Sequence, residues 1–158
     1  MQFQIRQANL NDIETIVEFN VAMAHETENK TLDYARLTAG VRALFDEPQR
    51  GVYYVAAAGD GAVIGQTLIT TEWSDWRNGE FWWFQSVYVR PDWRKKGVFK
   101  ALYKHVLSLA KNDPHVCGLR LYVEKNNVTA QKTYRTLGMS FTPYLVLEYG
   151  LCTDNYAC

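Results

Sequence analysis

The chain has 158 residues, of which 47% are hydrophobic and 22% are charged, and its 17 basic residues balance its 17 acidic residues. This length predicts one domain, residues 1–158. The composition is typical of a packed globular protein and excludes a disordered chain. Because the net charge is zero, no overall field attracts nucleic acid or an anionic membrane. We therefore expect a small-molecule partner, with no nucleic acid and no membrane.

The cysteines favour a reducing environment. Cys117, Cys152 and Cys158 are odd in number and form neither a CxxC pair nor a cluster with histidine, so we expect reduced thiols and no metal site. The start of the chain turns polar too early for a secretory signal, and no apolar run approaches the ~18 residues needed to cross a bilayer. A cytoplasmic location is expected.

The first half of the chain predicts one strand followed by two helices. Residues 3–7 read as a short strand. Asn11, with Glu14 three positions later, resembles a capping box at the start of a helix. Thr31 is the expected cap of a second helix, which Pro48 closes.

Three strands and a helix are predicted next. The β-rich runs 52–57 and 62–71 are separated by a Gly-Asp-Gly turn, which is typical of a hairpin. Residues 71–79 read as a loop rich in tryptophan, and a third strand runs over 80–89. Apolar residues at helical spacing then predict a helix over 97–112.

The last third predicts a strand, a helix and a strand. Alternating residues indicate a strand over 119–123, and Asn127 can cap a helix that stops at Gly138. A final strand is expected at Phe141–Tyr149. The mixed order of strands and helices predicts an α/β sheet with helices on its faces.

The segment QSVYVRPDWRKKGVFKAL, residues 85–102, leads from a strand through a basic turn directly into a helix. The first amides of a helix lack internal partners and, with the helix dipole, stabilise an anion such as pyrophosphate. Arg94, Lys95 and Lys96 add positive charge, and Gly97 lets the backbone approach a ligand closely. This pattern predicts a phosphate-bearing ligand. Taken alone, the motif also fits a solvated charge run before an ordinary helix-start glycine.

Two motifs in this order resemble the GNAT (GCN5-related N-acetyltransferase) superfamily. RKKGVF, residues 94–99, is similar to motif A, which has Gln or Arg, two residues, glycine, one residue, then glycine or alanine. NNVTAQKTYRTLGM is similar to motif B. The matching positions there are Asn127, Ala130, Tyr134, Leu137, Gly138 and Met139. The resemblance is strong over residues 80–142, with one departure, since Phe99 stands at the small-residue position of motif A.

The resemblance implies the GNAT acyl-CoA N-acyltransferase fold, an α/β mixed sheet that is mostly antiparallel, splayed at strands 4 and 5, with helices on both faces. It implies acetyl-CoA as co-substrate and no metal. Pantetheine would lie along strand 4, and an amide near Val89 would polarise the thioester carbonyl. The implied donor-binding residues are Val87, Tyr88, Val89, Arg94, Lys95, Lys96, Gly97, Val98, Phe99, Asn127, Ala130 and Tyr134.

Tyr134 is the implied catalytic acid. In the family the amine attacks the thioester directly, and a tyrosine, whose pKa is about 10, can protonate the leaving thiolate at neutral pH. The alternative role for Tyr134 is core packing, and for Asn127 a plain helix cap.

The sequence gives fewer signals for the acceptor site than for the donor site. A strand-4 glutamate often deprotonates the amine in the family, whereas this chain has Gln85 and Ser86. The candidate acceptor residues are Glu26, Glu28, Trp83 and Gln85, with Glu72, Asp75 and Glu80 on neighbouring segments. Each carboxylate also fits plain surface charge. Since strand residues alternate, either Trp83 with Gln85 or Trp82 with Phe84 lines the cleft.

The sequence therefore predicts an N-acetyltransferase that moves an acetyl group from acetyl-CoA to an amine of a small molecule. Two alternatives stay open, a catalytically silent acyl-CoA-binding module and a protein or peptide amine acetyltransferase. The aromatic strands are also compatible with a homodimer.

Overall fold

The computed structural model describes residues 2–151. Strands β1 to β5 span Phe3–Gln7, Val52–Ala58, Val63–Ser74, Gly79–Val89 and Val116–Leu121, and helices α1 to α4 span Ile13–Glu28, Tyr34–Asp46, Val98–Asn112 and Val128–Thr136. The chain divides into two compact units between Tyr122 and Val123. The first unit carries all five strands with α1 to α3, and the second carries α4. That residues 1–158 form a single domain stays a prediction.

The five strands form one sheet in the order β1-β2-β3-β4-β5. The first three pairings are antiparallel, and β4 pairs with β5 in parallel. Parallel neighbours need a long crossover connection, and α3 supplies it here. The predicted mixed, mostly antiparallel sheet is confirmed.

Two consecutive residues of β2 show that helices cover both faces of the sheet. Val55 is fully buried in a cluster with Ile16 of α1 and Val41 of α2. Ala56 is fully buried in a second cluster with Leu102 of α3. Because neighbouring strand residues point to opposite faces, α1 and α2 lie on one face and α3 on the other. The predicted α/β arrangement is confirmed.

The chain enters α1 through a partly buried ion pair. The Asn9 side chain accepts from the amide of Asn11 at 2.9 Å, and the Asn9 amide donates to the Asp12 carboxylate at 2.7 Å. Arg6 of β1 donates two hydrogen bonds to the same carboxylate, at 2.7 and 2.8 Å. The predicted capping box of Asn11 and Glu14 is therefore wrong. The real box lies two residues earlier, where Arg6 can join it.

Replacing Asp12 by alanine should lower the free energy of unfolding by about 1.5 to 3 kcal/mol, the range for hydrogen bonds to a charged group. Burial by itself raises the pKa of Asp12, but the hydrogen bonds from Arg6 and Asn9 outweigh it and hold the pKa below 3.8. The contribution is therefore complete above about pH 5 and is lost as the pH falls through this lowered pKa. Denaturant unfolding at pH 7 and at pH 3 measures both effects.

Glu14→Ala is the matched control for Asp12→Ala. Glu14 is exposed in the first turn of α1, and its replacement by alanine removes the same charge. It should change the free energy of unfolding by less than about 0.5 kcal/mol. Equal losses from the two variants would contradict the assignment of the cap.

The start of α2 also differs from the prediction. Asp33 caps the helix by accepting from the amide of Arg36 at 2.8 Å, so the predicted cap Thr31 lies two residues too early. Aspartate and threonine are both good caps, and the sequence pattern does not separate two candidates this close. The helix ends at Asp46, before Pro48 as predicted.

Strand β3 is longer than predicted. Its antiparallel pairing with β4 continues to Ser74 opposite Gly79, so the connection between them is a tight turn of residues 75–78. Trp73, predicted in a loop, is a strand residue with 60% of its surface exposed. The polar side chains here mark an exposed face of a strand, which a search for apolar runs treats as a loop.

The predicted final strand Phe141–Tyr149 is wrong. Residues 139–151 form neither helix nor strand, and Leu145 and Leu147 are 90% and 94% exposed. A strand is stabilised by hydrogen bonds to a neighbouring strand. The described part of the second unit contains no other strand to pair with this segment.

Candidate functional site

Strand β4 is paired on both sides only along its first half. Its parallel pairing with β5 runs from Glu80 to Phe84 and stops opposite Leu121, where β5 ends. Within the described residues, 85–89 pair with β3 alone. The open side leaves backbone donors and acceptors available to an extended ligand. The predicted donor-binding residues Val87, Tyr88 and Val89 all lie on this open stretch.

The open stretch of β4 begins with a β-bulge. Leu68 of β3 pairs with Gln85, but the next pairing joins Gln66 to Tyr88, so two residues of β4 face Thr67 alone. At the bulge Ser86 has φ 48°, a left-handed conformation that is uncommon outside glycine. Such a bulge re-aims the strand and the peptide groups that follow it.

The connection from β4 to α3 forms a backbone concavity. Lys95 and Gly97 have left-handed backbones, with φ 61° and 82°, and Lys96 between them does not. Alternation of this kind turns successive N–H groups toward one side and creates a site for an anion. Gly97 is the residue before α3, whose first amides lack partners within the helix. The predicted anion-binding turn therefore has a backbone geometry that suits an anion, and pyrophosphate binding there stays a prediction.

Because Gly65 of β3 has no side chain, the start of α3 and the end of β4 can lie close to it. A Cβ atom at Gly65 would lie 2.9 Å from Cγ1 of Val98 and 3.2 Å from the carbonyl oxygen of Tyr88. Val98 is 1% exposed and packs with Leu102 in the core under α3. The sequence analysis missed Gly65. A glycine inside a strand pattern is the signal that could have found it, because it often marks a close approach.

The three basic residues of the turn have different surroundings. Arg94 donates from Nη2 to Glu26 of α1 at 2.6 Å and from Nε to the carbonyl oxygen of Val89 at 2.9 Å. The Lys96 ammonium lies 5.4 Å from the centre of the Trp93 ring. Lys95 and Lys96 are exposed, so both can reach a phosphate. Arg94 must leave Glu26 to do so.

Phe99, at the small-residue position of motif A, packs along α3. Its ring packs against Tyr103 one turn along α3, with ring centres 6.3 Å apart, and Tyr103 stacks on Phe84 at 5.4 Å. The larger side chain is therefore accommodated along the helix and the sheet. Its backbone amide is unaffected by the departure from the small-residue pattern.

The structure decides which aromatic residues face which side of the sheet. Phe84 stacks on Tyr103 and so faces α3, as does Trp82 by alternation. Trp83 and Gln85 face the side of α1 and α2, where Gln85 donates to Thr70 at 2.5 Å.

The candidate acceptor residue Glu26 reaches the same side of the sheet, while Glu28 does not join it. The hydroxyl of Tyr88 donates to Glu26 at 2.9 Å, and Tyr88 itself packs on Phe19 of α1. Burial by itself raises the pKa of Glu26, but the hydrogen bonds from Arg94 and Tyr88 outweigh it and lower the pKa. Glu28, near the end of α1, forms an exposed ion pair with Lys30 at 2.8 Å.

Trp83 belongs to a polar and aromatic cluster that the sequence analysis recognised only in part. Its indole N–H donates to Glu72 at 2.6 Å, and its ring stacks on Tyr122 with centres 4.4 Å apart. Arg120 of β5 bonds to the same Glu72 carboxylate at 3.1 Å and lies 3.5 Å from the centre of the Phe81 ring. Arg120 and Phe81 were not predicted, because this contact joins strands that are distant in sequence.

The second unit contains the remaining predicted residues. Asn127 caps α4 by accepting from the amide of Ala130 at 3.0 Å, as predicted. Tyr134 lies one turn further along the same helix and is partly buried. Burial raises the pKa of Tyr134 above its ordinary value of 10.0, so its hydroxyl stays protonated at neutral pH.

Three further findings concern the residues that the structure describes. Across 2–151 no helix is both long and apolar enough to span a bilayer. Over the same range, no group of three or more His, Cys, Asp or Glu side chains is arranged to hold a metal ion. Cys117 is a free, exposed thiol, and the predictions for Cys152 and Cys158 lie outside the described residues.

Solved structures of acetyltransferases resemble this chain over nearly its whole length. A possible acetyltransferase from Clostridium difficile 630 is 42% identical, with a TM-score of 0.89, and the match covers 96% of this chain and 99% of that one. Glucosamine-6-phosphate N-acetyltransferase from Arabidopsis thaliana is 16% identical, with a TM-score of 0.71 and coverage of 94% and 99%. AAC(6')-Iy in complex with the bisubstrate analogue CoA-S-monomethyl-acetylneamine is 18% identical, with a TM-score of 0.74 and coverage of 96% and 100%. The last two share the fold.

No curated protein sequence matches the chain significantly. A family model described as the acetyltransferase (GNAT) family matches residues 19–139, which is more than half of the sequence. With the 42% identical structure, this match shows that the chain belongs to the GNAT acetyltransferase family.

Proposed function

We propose that this protein transfers the acetyl group of acetyl-CoA to an amine of a small molecule by direct attack. The observation that carries the proposal is the junction of β4 and α3. There an open strand end leads within a few residues into a basic turn with two left-handed residues at the start of a 15-residue helix. The strand end offers hydrogen bonds to an amide-bearing arm, and the turn offers amides and charge to a pyrophosphate.

In the proposed donor site, the turn binds the pyrophosphate and the strand end binds the pantetheine arm. Lys95, Lys96 and the amides of Gly97 and Val98 hold the pyrophosphate, because they combine positive charge with a helix start. Acetyl-CoA supplies an activated thioester when it is bound. The backbone of residues 87–89 aligns the pantetheine arm, and an amide near Val89 stabilises negative charge on the thioester oxygen as the amine attacks.

Tyr134 is proposed to protonate the departing thiolate, with Asn127 and Ala130 as donor contacts from the same helix. A group that donates a proton must hold it at the working pH, and the raised pKa of Tyr134 supports this role. An intact phenol in a motif-B helix favours an enzyme over a silent binding module.

The acceptor is proposed to bind on the side of the sheet that faces α1 and α2. Gln85 and Trp83 reach this side, where Trp83 donates to the Glu72 carboxylate, and Glu26 reaches it through Tyr88. An aromatic ring bonded to a carboxylate suits a cationic amine. The lowered pKa of Glu26 makes it an anion at neutral pH, which suits attraction of an ammonium better than removal of its proton. The amine linked to the analogue bound by AAC(6')-Iy is also part of a small molecule, which supports this acceptor class.

Thermal unfolding with two thioesters tests the donor half of the proposal. Acetyl-CoA at 100 times its Kd should stabilise the protein by about 2.7 kcal/mol. S-acetylpantetheine, which lacks the nucleotide and its phosphates, should raise the Tm much less at the same concentration. Equal shifts, or no shift with acetyl-CoA, would contradict recognition of the pyrophosphate.

Replacing Glu26 by glutamine should tighten acetyl-CoA binding up to about fivefold, because an exposed ion pair is worth at most about 1 kcal/mol. The change replaces the ion pair by a weaker, neutral hydrogen bond, so Arg94 can leave residue 26 for the phosphates at a lower cost. Titration calorimetry measures the Kd. Glu28→Gln makes the same charge change two residues away, where the partner is Lys30, and should alter the Kd less than twofold. A similar gain in both variants would assign the effect to overall charge.

A further inference from the structure

A series of buried polar side chains connects α1 to the bulge of β4. Asn20 of α1 donates from Nδ2 to the hydroxyl of Tyr53 at 3.0 Å and accepts at Oδ1 from Nε2 of Gln66 at 3.3 Å. The same nitrogen of Gln66 donates to the carbonyl oxygen of Ser86 at 3.3 Å. The series therefore ends on the β4 residue whose backbone is left-handed.

This arrangement is unfavourable for stability alone. Asn20, Tyr53 and Gln66 are 5%, 4% and 0% exposed. Oε1 of Gln66 is buried without a hydrogen-bond partner in the described structure, and an apolar side chain of similar size would avoid that loss. Ser86 adds strain through its φ of 48°. Backbone strain and an unsatisfied buried group that meet at one peptide are typical of a functional site.

We propose that Gln66, held in place by Asn20, is a positioning residue for the thioester. Its hydrogen bond to the Ser86 carbonyl fixes the peptide between Ser86 and Val87, and with it the direction of the amides that follow along the open stretch of β4. The proposal rests on the proposed function, because these amides matter for catalysis only if the thioester lies along β4.

The effect should appear in the chemical step. A donor for a developing oxyanion must lie at about 2.7 to 3.1 Å from the oxygen, so a small rotation of the peptide weakens transition-state stabilisation. Donor binding depends mainly on the pyrophosphate turn, which lies outside this network. Loss of Gln66 should therefore lower kcat and leave the Kd of acetyl-CoA nearly unchanged.

The test variant is Gln66→Met, which keeps the length and volume of the side chain and removes its amide. We expect a kcat at least tenfold lower, a Kd for acetyl-CoA within threefold, and a Tm that is unchanged or higher. Ile69→Val is the control, a buried change on the same strand that should lower the Tm and leave kcat within twofold. A purely structural role for Gln66 would give the control's pattern and overturn the proposal.

A spectroscopic measurement makes the test independent of the amine. The carbonyl stretch of bound [1-13C]acetyl-CoA should shift to lower frequency in the wild-type protein and return toward its free value in Gln66→Met. An unchanged shift in the variant would overturn this inference alone. If the wild-type protein did not bind acetyl-CoA, the proposed function itself would fail. If circular dichroism shows that Gln66→Met is unfolded, Asn20→Ala replaces it under the same criteria for kcat and for the Kd of acetyl-CoA.

Discussion

Tyr134→Phe should lower kcat for acetyl-CoA and an accepted amine by at least tenfold, because general acids typically contribute about 10² to 10⁴ to the rate. The substitution removes one hydroxyl and keeps the ring, so the packing of α4 is preserved. The Kd of acetyl-CoA should stay within about twofold, because the proposed donor site obtains most of its affinity from the basic turn before α3. Release of free coenzyme A measures kcat, and calorimetry measures the Kd.

The pH dependence of the wild-type rate gives a second reading of Tyr134. A general acid works while it is protonated, and the pKa of Tyr134 is raised above 10.0 by burial. The rate should therefore fall at alkaline pH only as the pH rises through that raised pKa, above about pH 10.

Tyr144→Phe is the matched control for Tyr134→Phe. Tyr144 is in the same unit and 72% exposed, so the kcat of this variant should equal that of the wild-type protein. An unchanged kcat in Tyr134→Phe would assign Tyr134 to packing.

Gly65→Val should weaken acetyl-CoA binding at least tenfold and lower the free energy of unfolding by about 3 kcal/mol, the upper part of the range for overpacking. A Cβ alone would lie 2.9 Å from Val98 Cγ1, and Val98 is too tightly packed to move without shifting the start of α3. That shift separates the pyrophosphate turn from the open stretch of β4. Chemical denaturation and calorimetry measure the two losses.

Gly40→Val is the control for Gly65→Val. Gly40 lies on the exposed side of α2, and a Cβ there would meet nothing within 4 Å. Since valine is a slightly better helix former than glycine, the free energy of unfolding should change by less than about 0.5 kcal/mol. Acetyl-CoA affinity should be unchanged. A fully stable Gly65→Val protein with normal affinity would show that α3 does not need this close approach.

Local patterns were sufficient for much of the fold. Apolar spacing predicted α3 to within one residue of its start at Val98, and the capping role of Asn127 is confirmed. These features depend on residues within one or two turns of each other. Arg6 shows where such patterns fail: two polar pairs have the same spacing, and the pair that forms the box, Asn9 with Asp12, lies in the 3-10 turn before α1, where Arg6 of β1 bonds to Asp12.

The candidate site was predictable only where it is local in sequence. The basic turn before α3 is continuous, so its residues were found from the sequence. The partner of Arg94 is Glu26, 68 residues away, and the pairing of Glu72 with Arg120 spans 48 residues. Gln66 was missed because glutamine is usually exposed, and nothing in its neighbours marks it as buried. Which face Trp83 occupies depended on the packing of α3.

The most direct test of the central claim is a coenzyme A release assay with acetyl-CoA and a panel of small-molecule amines and peptides. The account predicts release that requires an amine, with at least one small-molecule amine accepted in preference to every peptide, and an acetylated amine as product. Tight binding of acetyl-CoA without turnover on any acceptor would contradict it and would indicate an acyl-CoA-binding module.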